Sequence, residues 1–554
     1  MKLRFNFKRA WSLEWIAATL AFVVIAGCGV AVHGWFLKYS PASIGFDEGH
    51  TVGFAERLIH HHFLPYVDAA CHRGPLMYWY AAVFQAIWGP YNWTGMRLAT
   101  LVISVLGIAS CFAVGAVNRR PLAGAAAGAV YAYYTLYAVD IGAGISLGGE
   151  HVSVPPMLAS VALLSVAVNR ARSERGRLQA AFWAGFLACL AMLAKQTAAV
   201  LVAPLGLWAL AWAFADVTPP ARVALGRIGA LAIGWLVPAL SIIVLYAAHH
   251  ELSTFFYWFY TFNVDVYMGP YKGQSRLDAI DGWVTQQPLL VLAVFLTLAG
   301  SLLRPLFELE APSGRALLRA YNRAGFEATV GVAGCLTMVS ALSTMRFWPH
   351  YFIVAVPWIG LAAGLHLERA VAACPPFGRK LGYVAASLAI ASIGLFAASH
   401  RLSGLARDKR AGSWAPARPD AVCDRIAQLS KSDEGMLVWG FDADLYVSCQ
   451  RHSVTRYITS HFVAGIVPPF WSRPNPAWVA RDARKIIAQE VRSERPPLVL
   501  EVPGSLGGFS LHRVPELAAI VDADYCTLDS VTGRAGRLVK FYLRKDRPEC
   551  KGRR

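Results

Sequence analysis

Apolar residues in the first 400 positions of this chain gather in long unbroken runs instead of alternating with polar ones. Eleven such runs stand at 13–37, 95–117, 122–139, 151–168, 178–194, 197–214, 228–247, 288–303, 324–343, 350–368 and 381–399. A helix rises 1.5 Å per residue, so roughly 20 apolar residues cross the hydrocarbon of a bilayer. The pattern predicts about eleven membrane-spanning helices, joined by short links rich in charge, Gly or Pro. Leu76–Trp88 is apolar over only 13 residues and suits an interfacial or re-entrant helix.

From about Arg401 the pattern turns mixed. Met436–Gly440, Pro497–Val502 and Leu538–Arg544 read as strands. Ala480–Glu494 reads as a helix with Ile486, Ile487 and Val491 on one face. The expected fold is therefore an α-helical polytopic membrane domain over 1–400, with a small α/β domain over 401–554.

Composition agrees: 56% of the 554 residues are hydrophobic, 16% are charged, and the mean hydropathy is +0.43. The net charge of +18 would suit a nucleic-acid binder, but the positions of the charges argue otherwise. Arg119 and Arg120, the RARSERGR link from Arg170, Arg222 and Arg227, the stretch from Arg304 to Arg323, and Arg369 to Lys380 all fall in links on one side. Lys2, Arg4, Lys8 and Arg9 join them at the N-terminus. By the positive-inside rule that side is cytoplasmic, and the loops 38–94 and 248–287 and the tail lie outside. Counting Leu76–Trp88 as a span would invert this bias, so it is placed on the outer face. No nucleic-acid surface is needed to explain the charge.

Two local features read plainly. IAGC, Ile25–Cys28, has the look of a lipoprotein processing site, but the apolar run continues to Phe36, as in a signal anchor. Asn92-Trp93-Thr94 is a glycosylation sequon. The tail holds Cys423, Cys449, Cys526 and Cys550, which in an oxidising compartment allow one or two disulfides and three full pairings. Their spacing does not suggest zinc.

The chemistry concentrates on the outer face. Asp47 and Glu48, in FDEGH, emerge together after the first apolar run. Two carboxylates there can bind a metal, orient a phosphate-bound metal, or take a proton from an attacking hydroxyl; a solvated turn is the plain alternative. His72 and Arg73, Glu150-His151, Lys195-Gln196, Arg346 and His350-Tyr351 interrupt the apolar pattern at the same face. The loop 248–287 adds Tyr267, Tyr271, Lys272 and Arg276. One cation at a membrane boundary usually snorkels. Carboxylates with several cations suit a phosphate-bearing lipid whose head group meets a polar acceptor.

At these residues the chain resembles the GT-C membrane glycosyltransferases. It is most similar to the branch with protein O-mannosyltransferases, the lipid A aminoarabinose transferase and bacterial transferases acting on lipopolysaccharide cores. FDEGH matches the acidic pair opening the first outer loop, and HRGPLMYWY the basic-Pro-aromatic segment after it. GEHVSVPPMLASVALL, AMLAKQTAAVL, MRFWPHYFIVAVPWIGLAAG and the tail segment LVWGFDADLYVSCQRHSVTRY are further echoes, in order over most of the chain. The resemblance implies transfer of one sugar, with inversion, from a polyprenyl-phosphate donor to an extracytoplasmic glycan, lipid or protein acceptor, in a bacterial inner membrane. Asp47 and Glu48 would be catalytic. Arg73, Lys195, Lys272, Arg276, Arg346 and Tyr351 would hold the donor phosphate. His72, Glu150 and His350 would contact acceptor or metal, a divalent cation being a possible cofactor on Asp47, Glu48 and His72. Relatives often carry EKPP where this chain has His72-Arg73-Gly74-Pro75, so the acid of that segment has no counterpart here.

Two other classes compete with this reading. A lipid-linked sugar transporter or flippase would show internal repeats, and none is clear. A polysaccharide ligase or polymerase would place its key Arg and His residues in a large later loop. No Walker or HExxH motif appears. The orientation has a direct test: a reporter fused after residue 410 should read as extracytoplasmic, and a cytoplasmic signal there would overturn the placement of the Asp47 loop.

Overall fold

The computed structural model describes residues 12–39, 46–139, 144–214, 221–271, 275, 278, 280–281, 284, 288–307, 313–410, 420–468, 470–533 and 536–551. All eleven apolar runs are helical. Among the described residues, eight helices are long and apolar enough to cross a membrane, so the chain is a multi-pass membrane protein. The other three runs are shorter or change winding. Pro121–Tyr133 continues as a π-helical turn to Ala138, Pro288–Leu302 has 15 residues, and Val356–Ala372 follows a 3-10 turn at Pro349–Val354. The count of eleven spans therefore does not carry over from run to helix one for one.

Two compact units divide the chain discontinuously. The first comprises Met1–Trp35, Thr100–Ala248 and Ser275–Ala406, and the second Phe36–Ala99, His249–Gln274 and Arg407–Arg554.

In the first unit, Gly149–Asn169 packs along Glu174–Ala194, which packs along Ala221–Ala248, and Pro121–Tyr133 packs along Val356–Ala372. Lipid tails are as apolar as leucine, so helices in a bilayer gain most from close backbone approach. Gly360 and Gly364 show this: a Cβ there would stand 2.7 Å from the Cα of Ala127 and 2.6 Å from the Cα of Ala123. The small-residue face of PLAGAAAGAVYAY receives the GLAAG turn of the Val356 helix. Arg401, near the end of the Pro376–Arg410 helix, donates to the carbonyls of Leu136, Tyr137 and Val139. These are carbonyls that the π-helical turn and its exit leave without a regular helical partner.

The second unit carries a five-stranded sheet. β1 (Met436–Trp439) pairs parallel with β2 (Leu498–Glu501), Met436 facing Leu498. The parallel pair requires a long crossover, which contains the helix Ala483–Glu494. β3 (Tyr525–Thr527), β4 (Val531–Thr532) and β5 (Leu538–Arg544) complete the sheet; β5 runs antiparallel to β2, β3 and β4. β1 and β2 are buried on both faces, as their continuous apolar lettering implies. Cys423 pairs with Cys449 and Cys526 with Cys550, which selects one of the three full pairings. The loop after the first span belongs to this unit and forms the helices Phe46–His60 and Pro75–Trp88, the latter of 14 residues. Arg57 on the first of them donates to the carbonyls of Asp68 and Ser453. Trp258 and Phe262 from the 249–274 segment pack on Phe462 at centroid distances of 5.1 and 5.4 Å.

Candidate functional site

FDEGH forms the first turn of Phe46–His60, where exposed N–H groups and the helix dipole favour negative charge. Neighbouring helix positions point about 100° apart, so the two carboxylates face different surroundings. Asp47 accepts from Arg73 Nη2 at 2.6 Å, and its side chain is 45% exposed. Glu48 is fully buried and paired with Arg97, whose side chain is 2% exposed and whose Nη2 bonds the second oxygen at 3.1 Å. The pair in the sequence is therefore two separate devices. Asp47 is chemically accessible. Glu48 is one half of a buried salt bridge that ties this helix to the start of Trp93–Val117.

Gly49 lets the helix sit against the tail of the chain. A Cβ there would stand 2.8–2.9 Å from the backbone and Cβ of Asp444, so any side chain would push the two segments apart. Asp444 in turn accepts from Arg537 at 3.0 and 3.1 Å, and Asp442 from the same guanidinium at 2.8 Å. His50 is buried among Phe54 and Tyr78, with ring centroids 6.1 and 6.2 Å away. Burial first, then the nearby charge of Arg73, push its pKa down to about 3.

Arg73 is held where the chain turns into the next helix. Gly74 is extended at the N-cap and Pro75 opens Pro75–Trp88, a favourable first helical residue. The Tyr66 hydroxyl donates to the Arg73 carbonyl at 2.6 Å, and Cys71 bonds Tyr78 within the same turn. His72 points its ring at Tyr267, 4.2 Å between centroids, while its carbonyl accepts from Asn263 at 2.8 Å. The ring of His72 thus takes part in aromatic packing. Among the described residues no group of three or more His, Cys, Asp or Glu side chains is placed to share a metal ion. Asp47 and Glu48 each face an arginine instead.

In the first unit a second constellation gathers. Glu150, at the start of Gly149–Asn169, pairs with Lys195 at 2.5 Å, and the Lys195 ammonium lies 4.7 Å from the centre of the Tyr351 ring. His350, next to Tyr351 on the 3-10 turn, is within electrostatic range of Glu150 and His151. Arg346 is buried to 9% exposure, between Met345 and Phe347 at φ 53° and 47°. Two flanking non-glycine residues in the left-handed region mark a backbone held against its preference, as functional turns often are. Lys272 and Arg276 lie outside the described residues.

Sequence reasoning missed Arg97 and His50. Arg97 sits four residues into an apolar helix, where a lone arginine reads as a snorkelling surface residue. Its burial against Glu48 has no signal in spacing, because 49 positions separate the two. The letters GISLG, Gly144–Gly148, fit GxSxG, but Ser146 is buried on a segment entering a helix. No strand precedes it among the described residues, so a nucleophile elbow is not formed.

Comparison of the sequence with protein-family models and with curated proteins found no match. Comparison with solved structures did. ArnT from Cupriavidus metallidurans bound to undecaprenyl phosphate is similar to this chain at TM-score 0.52 and 13% identity, over 94% of this chain and 97% of that one. ArnT in the apo state gives TM-score 0.51 and 13% identity, over 95% and 98%. At such identity the likeness carries the fold: this chain has the GT-C fold.

The two carboxylates should separate in a stability measurement. Glu48→Gln leaves a buried arginine without its counter-charge, a loss of roughly 3–5 kcal/mol. Asp47→Asn removes a half-exposed pair worth about 0–1 kcal/mol. Melting of purified protein in detergent should therefore drop by many degrees for Glu48→Gln and little for Asp47→Asn; equal drops would contradict the assignment.

His50 sets a pH dependence. In the unfolded chain it titrates at 6.5 and in the fold at about 3, so between these values only the unfolded state binds the proton. Its contribution is complete above about pH 6.5 and declines as pH falls towards 3. Acidification from pH 7.5 to 5 should destabilise the wild type more than His50→Gln; an identical response would show that His50 is not the group responsible.

Proposed function

We propose that this chain is an integral membrane glycosyltransferase. It moves one sugar from a polyprenyl-phosphate donor to an extracytoplasmic acceptor, a glycolipid, polysaccharide or protein, with inversion at the anomeric carbon. The observation that carries the reading is Asp47: a half-exposed carboxylate at the head of a helix, 2.6 Å from Arg73, in a chain with the GT-C fold. The ArnT structure with undecaprenyl phosphate supports the donor class by likeness of fold. In this reading residues 1–400 form the transferase domain of a bacterial inner membrane protein, and 401–554 form its extracytoplasmic domain.

The chemistry asked of the residues is simple. The acceptor hydroxyl oxygen bonds to the anomeric carbon as the bond from that carbon to the phosphate oxygen breaks. The lipid phosphate leaves with the bonding electron pair. The hydroxyl has a pKa far above neutral, so its proton must leave as the new bond forms, and Asp47 accepts it. Glu48 acts through position, since its pair with Arg97 fixes the turn that presents Asp47. Arg73 is the cation beside the base and serves the donor phosphate, where a charge-assisted guanidinium bond contributes most. In the membrane unit, Lys195, Arg346 and Tyr351 are assigned to lipid-phosphate binding, with Glu150 orienting Lys195 and His350 reserved for the acceptor. Lys272 and Arg276 share that assignment on sequence grounds alone.

The test uses membrane vesicles supplied with a panel of radiolabelled polyprenyl-phosphate sugars, followed by extraction of labelled product. Asp47→Asn keeps the size of the side chain and cannot take the proton, so turnover should fall about 10²–10⁴-fold with donor binding retained. Near-normal turnover at matched expression would overturn the base assignment. Absence of transfer from every donor by the wild type would overturn the reading as a whole.

A further inference from the structure

Tyr257–Tyr267, YWFYTFNVDVY in the second unit, winds as a π-helix of 11 residues. π-Helices are rare, occur mostly as single turns inside α-helices, and gather at functional sites. This one is clamped against the tail: the Arg481 backbone N–H donates to the Tyr257 hydroxyl at 2.7 Å, and Trp258 and Phe262 pack on Phe462. It also meets the turn that carries Arg73. The His72 ring lies 4.2 Å from Tyr267 and 5.8 Å from Phe262, between centroids.

Asn263 adds a polar contact to that packing. Its Nδ2 donates to the His72 carbonyl at 2.8 Å, and to the carbonyls of Trp258 and Phe259 in its own helix at 3.1 and 3.3 Å. Carbonyl oxygens only accept, so the three of them fix which way the amide faces. The bland account is that an asparagine here satisfies the backbone of its own helix. The bond to His72 goes beyond that, since it reaches across 191 positions to the residue before Arg73.

Peptide groups are planar, so holding a carbonyl holds the whole plane it belongs to. Two such planes meet at the Cα of Arg73. One contains the His72 carbonyl, held by Asn263; the other contains the Arg73 carbonyl, held by the Tyr66 hydroxyl at 2.6 Å. With both planes held, the backbone dihedrals of Arg73 are set, and so is the direction in which its side chain leaves the chain. A long guanidinium side chain started in the right direction loses less freedom when it takes up an anion.

We propose that Asn263 is a positioning residue for Arg73: through the His72 carbonyl, the π-helical segment aims the guanidinium that receives the donor's lipid phosphate. The inference rests on Arg73 serving that phosphate, as in the proposed function. Asn263 itself touches no reacting atom.

The experiment titrates the purified full chain in detergent with undecaprenyl phosphate, read by thermal shift and by hydrogen exchange. Asn263→Ala removes one hydrogen bond and should weaken binding by about 5–10-fold. Asn263→Asp keeps the shape but turns a charged acceptor towards three carbonyls, so it should weaken binding more; a residue that only packs would give the opposite order. In an Arg73→Ala background Asn263→Ala should have no further effect on binding. With a sugar-bearing donor, Asn263→Ala should raise the donor KM more than it lowers kcat. In the wild type, undecaprenyl phosphate should slow exchange across 257–267 as well as around Arg73, because coupling is reciprocal. That measurement decides the matter even if the variants fail to fold. Unchanged binding in both variants, an undiminished effect without Arg73, or unaltered exchange across 257–267 would overturn the proposal. A wild type that binds undecaprenyl phosphate with all these properties and yet transfers no sugar would support the proposal and overturn the transferase reading. A wild type that does not bind it would overturn both.

Discussion

A charge removed from water needs a partner, and that requirement sets the principal buried ion pairs of this protein. Desolvation of an isolated ion costs several kcal/mol even after relaxation, so an unpaired carboxylate inside a helix bundle is excluded. Glu48 answers with Arg97, Glu150 with Lys195, and Glu327 with a group of arginines. Asp47 is the exception that gives the first of these its meaning. It begins the same helix as Glu48, yet its side chain remains 45% exposed beside Arg73. Burial makes Glu48 a fixed support, and exposure leaves Asp47 able to meet a proton.

The second constraint is the absence of a hydrophobic drive between helices in lipid. Small residues replace it. Gly360 and Gly364 against Ala127 and Ala123 bring two helices to backbone contact. The same device recurs away from the spans, where Gly49 lets the Asp47 turn rest on Asp444. That contact makes the turn depend on the tail: Asp442 and Asp444 are themselves gripped by Arg537, so the helix bearing Asp47 is braced by a segment nearly 400 positions later. The brace belongs to a unit whose parts are scattered along the chain, which is why truncating the tail would act on more than the tail itself.

Much of this was legible in the letters. Hydropathy alone marks every apolar run that becomes a helix, because a bilayer demands continuous apolar length and the sequence must supply it. The strands Met436–Trp439, Leu498–Glu501 and Leu538–Arg544 are visible because central strands buried on both faces read as unbroken apolar stretches. β3 and β4 are not, since two or three residues carry no period. Charge placement gave an orientation, and FDEGH with HRGP drew attention to Asp47 and Arg73, which the fold then brings within 2.6 Å.

What the sequence determined by itself was thus class and inventory: a polytopic helical protein, a mixed tail with four cysteines, and a short roster of charged residues out of place among apolar ones. Tertiary structure decided how that roster is divided. It separated Asp47 from Glu48, although they are adjacent, by sending one to solvent and the other to Arg97. It put His72 against Tyr267 in an aromatic stack, selected the pairs Cys423–Cys449 and Cys526–Cys550, and drew arginines from three links around Glu327. The physical reason is the same in each case. Hydropathy is a property of neighbours along the chain, whereas pairing, burial and packing depend on residues tens to hundreds of positions apart, and only folding brings those together.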